Sequence, residues 1–156
     1  MKQAVGGAYV YNMVIVFLLV AFGFLMSSVS YSKAYRVSKG VLAIIENYSG
    51  YAGVGSPTET AIARYLSGMG YNTAPIKTSD CPTRKNAKGS DKSASWAPSG
   101  ICIYEMDKTT YKDETGKTKT QYVTYGVISY MRIDLPLIEL IKVPIYGETE
   151  KIYVFN

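Results

Sequence analysis

The sequence predicts an α+β fold: a long N-terminal helix, transmembrane in its first part and amphipathic in its second, then one short helix and a small four-stranded antiparallel sheet. Three observations predict it. Residues 3–32 contain no charged side chain and are densest in apolar ones between Met13 and Met26. Apolar residues then recur at helical spacing as far as Tyr48, and after Gly100 the pattern changes to runs of Val, Ile, Thr and Tyr bounded by turn residues.

The first element is long enough to cross a bilayer. A helix rises about 1.5 Å per residue, so roughly 20 apolar residues span a hydrocarbon core about 30 Å thick. A secretory signal would have an apolar core of about 7 to 15 residues, shorter than this one, although Ser28-Val29-Ser30 offers a cleavage sequence of sorts. Residues 1–30 are therefore read as a transmembrane helix, in which Phe17, Phe22, Gly23 and Phe24 are the candidate residues for helix assembly. Ala34, Val37, Val41, Ile44, Ile45 and Tyr48 continue one apolar face, and Lys33, Arg36, Lys39, Glu46 and Asn47 take other positions, which makes residues 31–50 an amphipathic extension. Gly50 is placed to cap it.

Residues 51–156 are expected to form one extracytoplasmic α+β domain. Gly50 to Gly55 is a connector; no strand precedes it and no Lys-Ser/Thr follows, so it is not a nucleotide loop. Ser56-Pro57-Thr58-Glu59 starts a short helix, with a hydroxyl cap, proline at the first position and Glu59 set to reach back to the cap amide. Ile62, Tyr65, Leu66 and Met69 form its buried face, and Gly68 or Gly70 ends it. Tyr71 to Gly100, with Pro75, Pro82 and Pro98, reads as a long polar loop stitched by Cys81 and Cys102. Trp96, the only tryptophan, either pins this loop to the core or stands exposed as a contact residue; Arg84, Lys85, Lys88 and Lys92 are the other candidate contacts.

Ile101 to Met106 and Gln121 to Asp134 form a hairpin across the polar turn at residues 112–117. Alternation puts Val123, Tyr125, Val127, Met131 and Ile133 on one face, where the amphipathic helix can pack, and Thr124, Tyr130 and Arg132 on the other. A further pair, Leu137 to Ile145 and Lys151 to Phe155, is expected across Gly147 to Glu150, with Pro136 and Pro144 pointing to sheet edges or strand ends.

Composition narrows the function. The chain has no histidine, which removes the usual general base, the commonest transition-metal ligand and any histidine-activated nucleophile. Glu105 and Asp107, on one side of a strand by alternation, sketch a calcium site with Asp113 and Glu114, but the spacing is not that of an EF-hand loop and lysines interleave. No catalytic residue, metal site or cofactor is expected. Two cysteines in an anchored chain suggest one disulfide and an oxidising compartment. The positive-inside balance of Lys2 against Lys33, Arg36 and Lys39 argues the other way on orientation; the cysteine pair is followed here. The net charge of +5 is split between those membrane-proximal residues, which suit anionic lipid better than nucleic acid, and the cluster Arg84, Lys85, Lys88 and Lys92, whose plain reading is a solvated loop.

The plan of apolar helix, amphipathic continuation, small sheet and cysteine pair resembles type IV pilins and pseudopilins. With its phrase Val143-Pro144-Ile145-Tyr146-Gly147-Glu148-Thr149, the chain looks most like the TadE-like minor pilins of tight-adherence systems. The resemblance implies a structural subunit of a surface pilus or related secretion apparatus, in contact with membrane lipid and with other pilin-like or secretion-machine subunits as a homo- or hetero-oligomer. It also implies processing after Gly6 or Gly7. Cutting there would put Tyr11 or Asn12 where the family pattern has a glutamate, so neither supplies a charge for a neighbour's new amino terminus. A minor or membrane-resident subunit fits that departure. The alternative is a tethered binding domain that captures a partner through the Cys81–Cys102 loop.

Overall fold

A computed structural model describes residues 2–71, 76–97, 100–135 and 138–154, with side chains described outside 2–8 and 131–142. Helix α1 (Lys2–Asn47) is uninterrupted and, at ~1.5 Å per residue, about 70 Å long. Helix α2 (Pro57–Gly68) follows, then a 3-10 turn at Thr78–Asp80. Among the described residues six strands follow: β1 (Arg84–Lys85), β2 (Asp91–Lys92), β3 (Cys102–Lys112), β4 (Thr118–Leu135), β5 (Ile138–Glu148) and β6 (Ile152–Tyr153). The last four form the antiparallel sheet, and β1 and β2 pair with each other as a small hairpin. The long polar loop therefore contains short structure of its own. Pro75 and Pro98, which helped define that loop, and Pro136, Leu137 and Phe155, which helped define the last strands, lie outside the described residues.

The pairing of the final strands differs from expectation. β5 and β6 do not pair with each other; both lie along the same edge of β4, β5 opposite residues 126–135 and β6 opposite Tyr122 and Val123. Thr149 makes the handover. Its amide donates to the Tyr125 carbonyl and its Oγ1 accepts from the Tyr125 amide, both at 2.9 Å, so a side chain completes the ladder between two strands. The sheet is thus three strands wide, with Pro144 on its edge strand. Pro144 stands opposite Tyr130, whose amide and carbonyl both bond to the Tyr71 hydroxyl, and so the missing proline donor breaks no ladder bond.

One face of the sheet receives α1. Val37, Val41, Leu42 and Ile45 are buried with Ile103, Val123, Tyr125 and Val127, and Ile62 and Leu66 of α2 close the side. Burying such side chains contributes about 1.5–3 kcal/mol each. Tyr48, expected on this face, is 52% exposed because α1 ends one residue before it. Leu42 and Ser38 are buried in addition, and Ser38 meets the sheet where Gly147 lacks a side chain: a Cβ there would lie 2.7 Å from Leu42 Cδ1 and 2.9 Å from Ser38 Oγ. Gly40 has the matching role toward α2, since its Cβ would sit 2.2 Å from Tyr65 Cζ. At the end of α1 the left-handed residue is Ser49 (φ 56°), with the Gly50 amide returning to the Ile45 carbonyl. α2 is capped by Ser56, whose side chain accepts from the Glu59 amide; Glu59 itself reaches the Gly55 amide rather than that of the cap residue.

The opposite face, read as Thr124, Tyr130 and Arg132, carries a second core. The Arg132 side chain, like those of Met131 and Ile133 that alternation assigned to the other face, lies outside the described residues. Tyr104, Met106 and Ile128 are buried there with the cysteines. A bulge at Met106 shifts the register beyond it: Glu105 pairs with Tyr125 and Asp107 with Thr124, so consecutive β4 residues face two residues that simple alternation would put on the same side. Glu105 and Asp107 therefore do not share a side of the strand.

Candidate assembly surface and the disulfide loop

The helix divides by exposure. From Tyr9 to Val29 its large apolar side chains lie outside the domain, with Phe17, Phe22 and Phe24 at 71%, 61% and 75% exposure. From Ala34 to Ile45 the same helix supplies the core. It is long and apolar enough to cross a membrane. Among the described residues nothing lies within 4 Å of where a Cβ on Gly23 would be. Gly6 and Gly7 fall within the first turns of α1.

Between the two halves the composition changes to aromatic and basic. Tyr31 and Tyr35, one turn apart, stack at 6.3 Å, and Lys39 Nζ lies 5.9 Å from the Tyr35 ring centroid. Lys33 donates to the Gly70 carbonyl at 3.0 Å and ties α1 to the end of α2. Tyrosine and lysine at this level are the side chains that tolerate a bilayer interface, with apolar bodies and polar ends.

The disulfide joins Cys81 to Cys102, with Cα atoms 6.0 Å apart, and anchors the loop over the second core. Trp96 is half-buried, its ring 4.7 Å from Tyr51 and 6.4 Å from Tyr125, and its backbone bridges Ile103. This is the pinning arrangement, not an exposed anchor. Arg84 is half-buried with its guanidinium 4.5 Å from the Tyr146 ring, and Lys92 stands opposite it in the β1–β2 register. Lys85 and Lys88 are exposed. Asn86 shapes the hairpin by accepting from the Lys88 and Ser90 amides while donating to Asp107 at 3.0 Å. The four basic residues are thus divided between the underside and the outer rim of the loop, and an asparagine that composition did not single out organises them.

The buried tyrosines have depressed acidity. Burial raises Tyr104 to about 12, reinforced by Tyr130 and opposed by Arg84, and its hydroxyl donates to the Pro82 carbonyl at 2.7 Å. Burial also pushes Tyr146 well up, helped by its hydrogen bond to Glu148. These hydroxyls serve as hydrogen-bond donors at neutral pH. A cleft of about 290 Å³ at the end of α1, lined by Tyr48, Ser49, Gly50, Tyr51, Pro57 and Thr58, holds no carboxylate or amine for proton transfer. Among the described residues no three acidic or cysteine side chains converge on a metal position. No known family, curated protein or solved structure matches the chain.

Proposed function

We propose that the protein is a single-pass structural subunit of a pilus or related secretion assembly, a minor pilin-like component anchored by α1 with its C-terminal domain outside the cytoplasm. The observation that supports this reading is the division of one unbroken helix into an exposed apolar half and a half that forms the domain's core. Force or displacement applied to the anchor is then transmitted to the sheet without a flexible joint. The single disulfide supports the extracytoplasmic placement. The absence of histidine, together with a cleft that offers only tyrosine and hydroxyl groups, supports a structural role over a catalytic one.

Lateral helix contacts in lipid depend on close packing at small residues, so Gly23 is the position to probe. Gly23→Leu is expected to leave the domain folded and the disulfide formed while abolishing cross-linking of the full chain to neighbouring subunits in its native membrane. Intact mass and N-terminal sequencing of protein from that membrane distinguish a retained anchor from cleavage after Gly6 or Gly7 and from removal near Ser30. A domain lacking residues 1–30 that joined its partners with undiminished affinity would refute assembly through α1.

A further inference from the structure

Strands β4 and β5 extend beyond Ser129 and Gly147, the points at which described contacts tie them to α1. Two contacts locate the hairpin along the helix: Ser129 Oγ donates to the Ala34 carbonyl at 2.9 Å, and Gly147 lies against Ser38 and Leu42. β5 ascends in number together with α1, since the Glu150 amide reaches the Glu46 carboxylate beyond them. The Leu135–Ile138 end of the two strands therefore lies toward the apolar end of α1. Ile138 precedes Gly147 by nine residues and Leu135 follows Ser129 by six. At ~3.3 Å per strand residue these are about 30 Å and about 20 Å, equivalent to roughly 20 and 13 helical residues at ~1.5 Å. Both counts bring the hairpin end to the level of Val20 to Ser27, an inclined crossing shifting it toward Ser27.

The sequence along this arm is graded. Arg132 and Lys142 are direct cross-strand partners. Like charges set opposite one another destabilise a strand pair unless an anion or water screens them. Beyond them toward the turn come Ile133, Leu135, Ile138, Leu140 and Ile141, with Asp134 and Glu139 the only charged residues among positions 133–141. By the same count the Arg132–Lys142 pair stands about 17 Å from Gly147, near residues 27–31 of α1, where the uncharged segment gives way to Tyr31 and Lys33.

We infer that the outer part of the β4–β5 hairpin, residues 131–135 and 138–142, is a second membrane-contacting element that rests in the interfacial layer of the bilayer crossed by α1. The inference depends on α1 being the membrane anchor. By register the Arg132–Lys142 pair stands at the level of the headgroups, where phosphate can screen two cations, and the strand residues beyond it stand at the level of the upper acyl region. Two carboxylates keep the arm out of the hydrocarbon centre, where each would cost several kcal/mol. With α1 the arm makes a two-point contact, which fixes the rotation of the domain about the helix axis.

The test uses the full chain with its disulfide intact, in nanodiscs of phosphatidylcholine and phosphatidylserine. Nitroxide labels are placed by Ile138→Cys, Glu139→Cys and Leu140→Cys, so that both strand faces are sampled. Val16→Cys reports the anchor and Glu114→Cys, in the turn at the far end of the sheet, reports solvent. Oxygen accessibility several-fold above that of Glu114→Cys at one or more hairpin positions, at a depth shallower than Val16→Cys, is the expected result. Hairpin labels as water-accessible as Glu114→Cys, with Val16→Cys in lipid, would overturn the inference and leave the anchor standing. Hairpin labels shielded from both oxygen and water would also overturn it, because the arm would then be packed on protein. A water-accessible Val16→Cys would remove the anchor and the inference together.

Discussion

Gly40→Ala separates helix propensity from tertiary fit. In an ordinary helix interior this change stabilises by about 1 kcal/mol, because glycine loses more backbone freedom on folding than alanine. Here the new Cβ would lie 2.2 Å from both Cζ and Oη of Tyr65 and 2.5 Å from Cε1. The ring must leave, since such separations are far inside van der Waals contact. Its departure breaks the hydrogen bond from the Tyr65 hydroxyl to the Arg36 carbonyl, 3.1 Å long, a net loss of about 0.5–1.5 kcal/mol. It also uncovers the edge of the core where Tyr65 packs, which for a half-buried ring costs about 1–1.5 kcal/mol. The sum outweighs the propensity gain, giving a net destabilisation of about 1 kcal/mol. In a Tyr65→Ala background the obstacle is gone and Gly40→Ala should stabilise by up to about 1 kcal/mol. The assay is equilibrium urea unfolding of the full chain in detergent, followed by the fluorescence of Trp96. Gly40→Ala raising stability in the wild-type background, or identical effects in the two backgrounds, would refute the assignment of Gly40 as the seat of Tyr65.

Thr149→Val keeps the shape but leaves the buried Tyr125 amide without its Oγ1 acceptor, and the same unfolding assay should register a loss of about 1–3 kcal/mol. Replacing the disulfide through Cys81→Ser with Cys102→Ala should cost roughly 3 kcal/mol on the loop-entropy model, checked by denaturant unfolding with the slope fitted for each protein, since the freed unfolded chain raises it; the two cysteines are 21 residues apart in sequence. Above pH 10 stability should fall. Tyr51 and Tyr104 are raised by burial from 10.0 to about 12, so between these values the unfolded chain loses protons that the native state keeps, and the stabilising effect disappears as pH rises through about 12. Tyr104→Phe should be less stable at neutral pH through loss of the Pro82 hydrogen bond, yet show a shallower alkaline decline in melting temperature.

The long helix was legible because a continuous uncharged segment followed by spacing of three and four leaves a helix as the only regular structure that suits both lipid and a one-sided core. The start of α2 was legible for a local reason: Ser56 and Pro57 act within one turn of themselves. The cysteine pair needed only counting. Glu59 shows the limit of such local grammar, since the Gly53–Ser56 turn brings the Gly55 amide, not the cap amide, within its reach.

Strand pairing was a different matter. Alternation assigns faces along a strand and says nothing about which edge a strand will take, so β6 read as the partner of β5 when Thr149 carries the chain to the vacant stretch of β4. A bulge at Met106 moved Asp107 across the strand. Periodicity could not foresee it, because an extra residue inverts the assignments beyond it until the second register shift between Thr109 and Thr110. The glycines carry the same lesson: Gly40 and Gly147 look like weak points along the chain, and only the helix and side chains that approach them make them necessary. What the sequence by itself determined was the local grammar, namely an uncharged span, an amphipathic spine, caps and turns, because those depend on neighbours within a few residues. What only the tertiary structure decided was who packs against whom, because edge choice, close approach and the second core depend on residues brought together from distant parts of the chain.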